Sequence, residues 1–122
     1  MTTMQKTLGD RAEDYALKFL TQKGLRLLER NYECKLGEID LVMQDDKHIV
    51  FVEVRCRTRS RFGTAADSVT PTKIQKLIRT ATIYLQANKL LNKHPSRFDI
   101  VAIDFSKTEK ETHWIKNAFT PS

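Results

Sequence analysis

GEIDLVMQDDKHIVFVEVRCR, residues 37–57, is the stretch on which the fold turns. Gly37 opens a segment with alternating side chains: Ile39, Leu41 and Met43 are expected on one side, and Glu38, Asp40 and Val42 on the other, because successive residues of an extended chain face opposite ways. The polar QDDK that follows is a short reversal, and HIVFVEV is a second extended run. Two such runs joined by a tight polar connection read as an antiparallel pair. From Ile49 to Val54 every position but Glu53 is apolar, the pattern of a strand covered on both faces in the middle of a sheet. An acid inside such a run needs a counterpart: an ion pair, hydrogen bonds, a metal, or a strand end open to solvent.

Upstream, Leu8, Ala12, Ala16, Phe19 and Leu20 recur at three- and four-residue intervals and predict one face of a first helix, stopped at Gly24. Leu25 to Tyr32 carries a less regular apolar pattern that suits a strand. Downstream, RCRTRSRFGTAADSVTPTK breaks all periodicity and is expected to be a loop turning at Phe62-Gly63. Thr70 and Pro71 then supply an N-cap and a first-turn proline. Ile74, Leu77, Ile78, Ala81, Tyr84 and Leu85 build a second apolar helical face that ends near Asn88 to Asn92, long enough for a crossover. RFDIVAIDF predicts another strand, and Thr112 to Ile115 a short final one anchored by Trp114, with fraying over the last ten or so residues. The sum is an α/β domain spanning residues 1–122, a mixed central sheet flanked by helices, with weakly ordered termini.

Composition narrows the functional classes. The 122 residues suffice for one domain, and 40% hydrophobic with 30% charged residues fits a folded chain. Lys and Arg number 21 against 15 Asp and Glu, a net charge of +6 that favours a polyanionic partner. No segment approaches a membrane helix, and MTTMQKTLGDRAEDYALKF lacks the apolar core of a secretory signal, so a cytoplasmic protein is expected. Cys34 and Cys56 form no CxxC motif and read as reduced thiols. His48, His94 and His113 are too scattered for a metal-ligand pattern.

Three acids stand out by context: Glu13 beside the apolar face of the first helix, Asp40 in GEIDLV, and Glu53 in VFVEV. Glu53 and Arg55, two residues apart on one strand, are expected on the same side, and strand pairing can bring Asp40 to them. Carboxylates gathered in this way repel one another when ionised, and a hard divalent cation offsets that repulsion. The plain alternative is an exposed helix acid, a strand acid near a turn, and an ordinary Glu53–Arg55 ion pair.

GEIDLV, VFVEVRCR, FG, TPTKIQKLI, ATIYL and RFDIVAI together resemble the YraN-like uncharacterised protein family. That family in turn resembles the PD-(D/E)XK, or restriction-endonuclease-like, superfamily and archaeal Holliday junction resolvases. The resemblance covers about residues 8–105 and implies a restriction-endonuclease-like fold. It also implies a metal-dependent DNA endonuclease, with branched DNA as one substrate class and a homodimer as the form that would make paired cuts. It casts Glu13, Asp40, Glu53 and Arg55 as the catalytic set. Asp40 and Glu53 would hold Mg²⁺ or Mn²⁺, with Glu13 a further candidate ligand and Glu38 a neighbour. Arg55 stands where the motif's ExK lysine is expected; it can pair with phosphate but is no neutral general base. Arg55, Arg57, Arg59, Arg61, Lys73, Lys76 and Arg79 would form the nucleic-acid-facing surface, against the plainer reading of a solvated basic loop. The competing functions are a noncatalytic nucleic-acid-binding protein that keeps the fold, and a protein-interaction domain.

Overall fold

In the computed structural model, residues 7–57, 69–105 and 110–119 are described. They form α1 (Leu8–Gln22), β1 (Arg26–Cys34), β2 (Gly37–Asp45), β3 (His48–Arg57), α2 (Pro71–Ala87), β4 (Ser96–Asp104) and β5 (Glu111–Phe119). The five strands make one sheet in sequence order β1-β2-β3-β4-β5. Strands β1, β2 and β3 run as an antiparallel meander, β4 lies parallel to β3, and β5 returns antiparallel to β4. A parallel neighbour requires a crossover, and α2 is that crossover. The chain is thus an α/β fold with a mixed sheet, consistent with a restriction-endonuclease-like arrangement.

Both sheet faces are covered. On one, Ala12, Ala16 and Leu20 of α1 pack on Leu41, Met43, Val50, Val52, Val101 and Ile103. On the other, Leu77, Ala81, Tyr84 and Leu85 of α2 pack on Ile39, Val42, Ile49, Phe51 and Phe98. The apolar run of β3 divides strictly between the two helices, Ile49 and Phe51 toward α2 and Val50 and Val52 toward α1, which explains why it has no polar face.

Helix limits follow local chemistry. Thr7 caps α1 in a reciprocal capping box with Asp10, and Thr70 caps α2 by accepting the Lys73 N–H, with Pro71 at the start. Gly24 takes a left-handed φ of +99° directly after α1, a conformation glycine adopts without the Cβ penalty. The final strand is longer than the sequence pattern predicts: all of Glu111–Phe119 is strand, its pairing with β4 running from Asp104↔Glu111 to Phe98↔Phe119, where the two rings stack. Pairing to a buried neighbour, which composition does not register, holds this end in place. Among the described residues no helix is long and apolar enough to cross a membrane.

One sequence expectation fails where it matters. Regular alternation puts Ile39, Leu41 and Met43 on one face, yet Ile39 packs toward α2 while Leu41 and Met43 pack toward α1; Val42 joins Ile39. The facing sense reverses between residues 39 and 41. On β1 the position between the paired residues Arg30↔Leu41 and Tyr32↔Ile39 is Asn31, whose φ is +54°. A left-handed residue interrupts the pleat, and asparagine tolerates that conformation better than most residues. Asp40 sits on β2 at this reversal.

Candidate acidic site between the sheet and the helix starts

The β2–β3 ladder pairs Asp45 with His48 through to Leu41 with Val52. One step further the opposed residues are Asp40 and Glu53. There the Asp40 carboxylate Oδ2, rather than a backbone carbonyl, accepts the Val54 N–H at 2.8 Å. The side chain takes the place of a carbonyl where the backbone pairing stops, which anchors it. The two carboxyls lie within hydrogen-bonding reach, and the pKa of Asp40 is pushed up to about 7 by burial, then by the hydrogen bond to Glu53 and the Glu53 charge. The Val54 N–H and the Lys73 ammonium oppose that rise.

Glu53 is 5% exposed on the α2 side of β3. Its Oε2 lies 3.5 Å from Arg55 Nη2 and 3.4 Å from Lys73 Nζ. Neither cation makes a well-directed hydrogen bond, for Glu53 Oε2 has no hydrogen-bond partner in the structure, and the buried Arg55 Nε has none either. The same-side placement of Glu53 and Arg55 expected from their spacing is therefore present. Lys73 arrives from the first turn of α2, its backbone N–H held by Thr70 Oγ1 at 3.2 Å.

Glu13 reaches the cluster from α1. Its Oε1 accepts from Arg30 Nε at 3.3 Å, while Arg30 Nη2 lies 2.7 Å from Asp14 Oδ1. Burial and the Asp40 charge raise the Glu13 pKa, against hydrogen bonds from Arg30 and Asn31. The more exposed Glu38 is raised too, by burial and then by Asp40, Glu33 and Glu13, with Lys73 opposing. Asp40 is thus the electrostatic centre to which Glu13 and Glu38 both respond. Sequence reading missed Arg30 and Asn31, the residues that hold Glu13; the only available signal was a cation and an asparagine inside an irregular strand.

Two expected members, Lys76 and Arg79, are not gathered here. Lys76 and Arg79 are exposed on α2, Arg57 ends β3, and Arg59, Arg61 and the Phe62-Gly63 turn lie outside the described residues. Among the described residues, no three acidic, histidine or cysteine side chains converge as a ready-made metal cage. Asp40 and Glu53 form a pair, with Glu13 as a charge-coupled neighbour. The donor set nonetheless suits a hard cation: two opposed carboxyls, one carrying a buried oxygen without a hydrogen bond, the other holding its proton up to about 7 because burial and the neighbouring acid outweigh the Val54 N–H and Lys73.

Fold and site together define a small α/β protein whose sheet presents a strained acidic pair between two helices and beside two cations. The chain belongs to uncharacterised protein family UPF0102, whose family model matches residues 12–103. It is 51% identical over 111 residues to a UPF0102 protein of Stutzerimonas stutzeri, covering 91% of this chain and 92% of the relative. It is 47% identical over 111 residues to one of Nitrosococcus oceani (91% and 90%), and 50% identical over 116 residues to one of Janthinobacterium sp. strain Marseille (95% and 89%).

Proposed function

We propose that this protein is a metal-dependent DNA endonuclease of the PD-(D/E)XK kind, hydrolysing phosphodiesters with branched DNA as its favoured class of substrate. The observation that carries the reading is the Asp40–Glu53 pair, in which a half-buried and a buried carboxyl face each other and Glu53 Oε2 lacks a hydrogen bond. A purely structural carboxylate would have its lone pairs satisfied. Asp40 and Glu53 would hold Mg²⁺ or Mn²⁺, which when bound supplies Lewis-acid stabilisation of the charge that develops on the phosphate. Lys73 and Arg55 then bind phosphate oxygens, for which the unpartnered Arg55 Nε is a donor in waiting. Glu13, tethered by Arg30 and Asn31, keeps the α1 side of the site negative and accepts hydrogen bonds from water. Arg55 cannot remove a proton at neutral pH, so proton acceptance falls to the carboxylates.

A second reading, a nucleic-acid-binding protein that does not cleave, is favoured by one observation: Glu53 is already flanked by two cations, Arg55 and Lys73, which compete with a metal for it. Labelled four-way-junction, flap, single-stranded and linear duplex DNA incubated with Mg²⁺, Mn²⁺ or EDTA separates the two. Metal-dependent cleavage reduced at least about a thousandfold by Asp40→Asn is the expected result. Binding without cleavage under every metal condition would sink the enzyme reading and leave the binding one. Junction resolution requires two cuts, so sedimentation of the junction complex should show two chains per DNA.

A further inference from the structure

Outside the acidic site, a groove of about 390 Å³ is lined by Leu8, Arg11, Asp14, Tyr15, Lys18, Phe105 and Lys110. Four of these, Leu8, Arg11, Tyr15 and Lys18, recur at three- and four-residue steps on one flank of α1, so they form a continuous stripe. Phe105 directly follows β4 and Lys110 directly precedes β5, so the far wall comes from where those strands connect. The Lys110 ammonium stands 5.1 Å from the centre of the Tyr15 ring and 5.5 Å from that of Phe105.

Among the described residues three cations therefore rim two aromatic rings, and the one acid in the wall, Asp14, is bound by Arg30 at 2.7 Å. An apolar peptide would have to desolvate the cations, and a duplex keeps its base faces stacked inside. A planar ring joined to an anion meets both demands, because the base stacks on the rings while its phosphate meets the lysines and arginine. We propose that this groove holds an unpaired nucleotide of a DNA strand, with Lys110 moving off the rings to pair with its phosphate. The assignment rests on the nucleic-acid reading above and deepens it. Glu13 lies on the opposite flank of the same helix, so a strand seated in the groove that crosses α1 comes to the Glu13 side of the acidic site. It gives the protein a physical means of preferring DNA with an unpaired strand next to a duplex.

The test is binding, measured by fluorescence anisotropy in EDTA so that cleavage plays no part. The probes are a labelled oligo-dT and a duplex of equal length, and the proteins are the wild type, Tyr15→Leu and Lys110→Gln. Tyr15→Leu keeps an apolar side chain against the α1 core, and its circular dichroism melt checks the fold. Tyr15→Leu should weaken oligo-dT binding by roughly tenfold while changing duplex binding less than about twofold, in line with the loss of one stacked base. Lys110→Gln should weaken oligo-dT binding and flatten its salt dependence. Equal losses on both probes, or none on either, would overturn the groove assignment while leaving metal-dependent cleavage intact. Cleavage failing while the oligo-dT effect persists would remove the enzyme reading alone. Should Tyr15→Leu unfold, an oligo carrying 5-iodouracil decides: crosslinks to Tyr15 or Phe105 support the groove, and crosslinks confined elsewhere overturn it.

Discussion

Two carboxylate clusters sit in this one sheet, one around Asp99 and one around Asp40 and Glu53, and are treated in opposite ways. Asp99, fully buried on β4, accepts hydrogen bonds from Arg97 Nε on both oxygens, from Trp114 Nε1 at 2.9 Å and from the Asn117 N–H at 2.9 Å, while Arg97 also reaches Asp45 at 2.9 Å. Asp40 has one backbone donor and faces another acid, and Glu53 keeps an oxygen without a hydrogen bond. Burial is similar in kind, but satisfaction is not. A cluster that meets all its demands internally holds the fold, here joining β4 to β5 where their register shifts between Phe98 and Ile100. A cluster that leaves demands unmet is available to a ligand.

The comparison can be broken most forcefully at Asp99. Asp99→Ala would remove the partner of the half-buried Arg97 Nε, of an indole N–H and of a backbone N–H, leaving Arg97 only Asp45, and should cost about 3–5 kcal/mol in urea unfolding. Asp40→Asn should do the reverse in metal-free buffer. Asp40 has a folded-state pKa of about 7 against an ordinary value of 3.8, so the native state holds more protons than the unfolded state between those limits. Stability must then fall as pH rises through that window, by up to about 4 kcal/mol if the whole shift is expressed. Asp40→Asn should remove the Asp40 part of this slope, leaving only what Glu13 and Glu38 contribute, and exceed the wild type in stability at pH 8. Added Mn²⁺ should restore the wild type at pH 8 and leave the variant unmoved. If the wild-type curve stays flat from pH 4 to 8, the repelling pair is not there.

The legibility of these two regions in the sequence differs for the same physical reason. Strand and helix existence followed from periodicity, because the core of each element is repetitive: Ile49 to Val52 alternates cleanly between the α1 and α2 faces. Glu53 and Asp40 were visible because charge inside apolar runs is costly, and same-strand spacing placed Arg55 beside Glu53. Asp99 satisfies the same description yet drew no attention, since its partners Trp114 and Asn117 arrive from a strand whose pairing no local pattern encodes. The reversal between Ile39 and Leu41 was illegible too. It depends on Asn31 of the neighbouring strand taking a left-handed conformation, and register between strands is a tertiary property. The motif marks Lys73 as a phosphate helper, while its contact with Glu53 depends on the start of α2 meeting the end of β3.

A smaller effect is expected at Thr70, whose hydroxyl accepts the Lys73 N–H and fixes the first turn of α2. Thr70→Ala should cost about 1 kcal/mol by thermal or urea unfolding, the usual worth of an N-cap. The Asp99 cluster, on the far strand, should keep its amide exchange protection. Loss of protection at Asn117 in this variant would mean that the two regions are one cooperative unit and that the contrast between them is false.

The smallest change in stability carries the sharpest information. Lys73 is 40% exposed in its pairing with Glu53, so Lys73→Met should shift stability by less than about 1 kcal/mol. Its charge nevertheless opposes the upward shift of Asp40. Removing it should therefore move the Asp40 midpoint further up, read from side-chain carboxyl chemical shifts in a pH titration. Lys73→Arg should hold it near the wild-type position. The stability slope between pH 4 and 7 should persist in Lys73→Met and extend to higher pH, because protons are retained longer in the folded state. An unmoved midpoint would show that Asp40 answers to Glu53 and burial alone, and Lys73 would then be only a helix-start cation, leaving Arg55 as the sole described cation bearing on the pair.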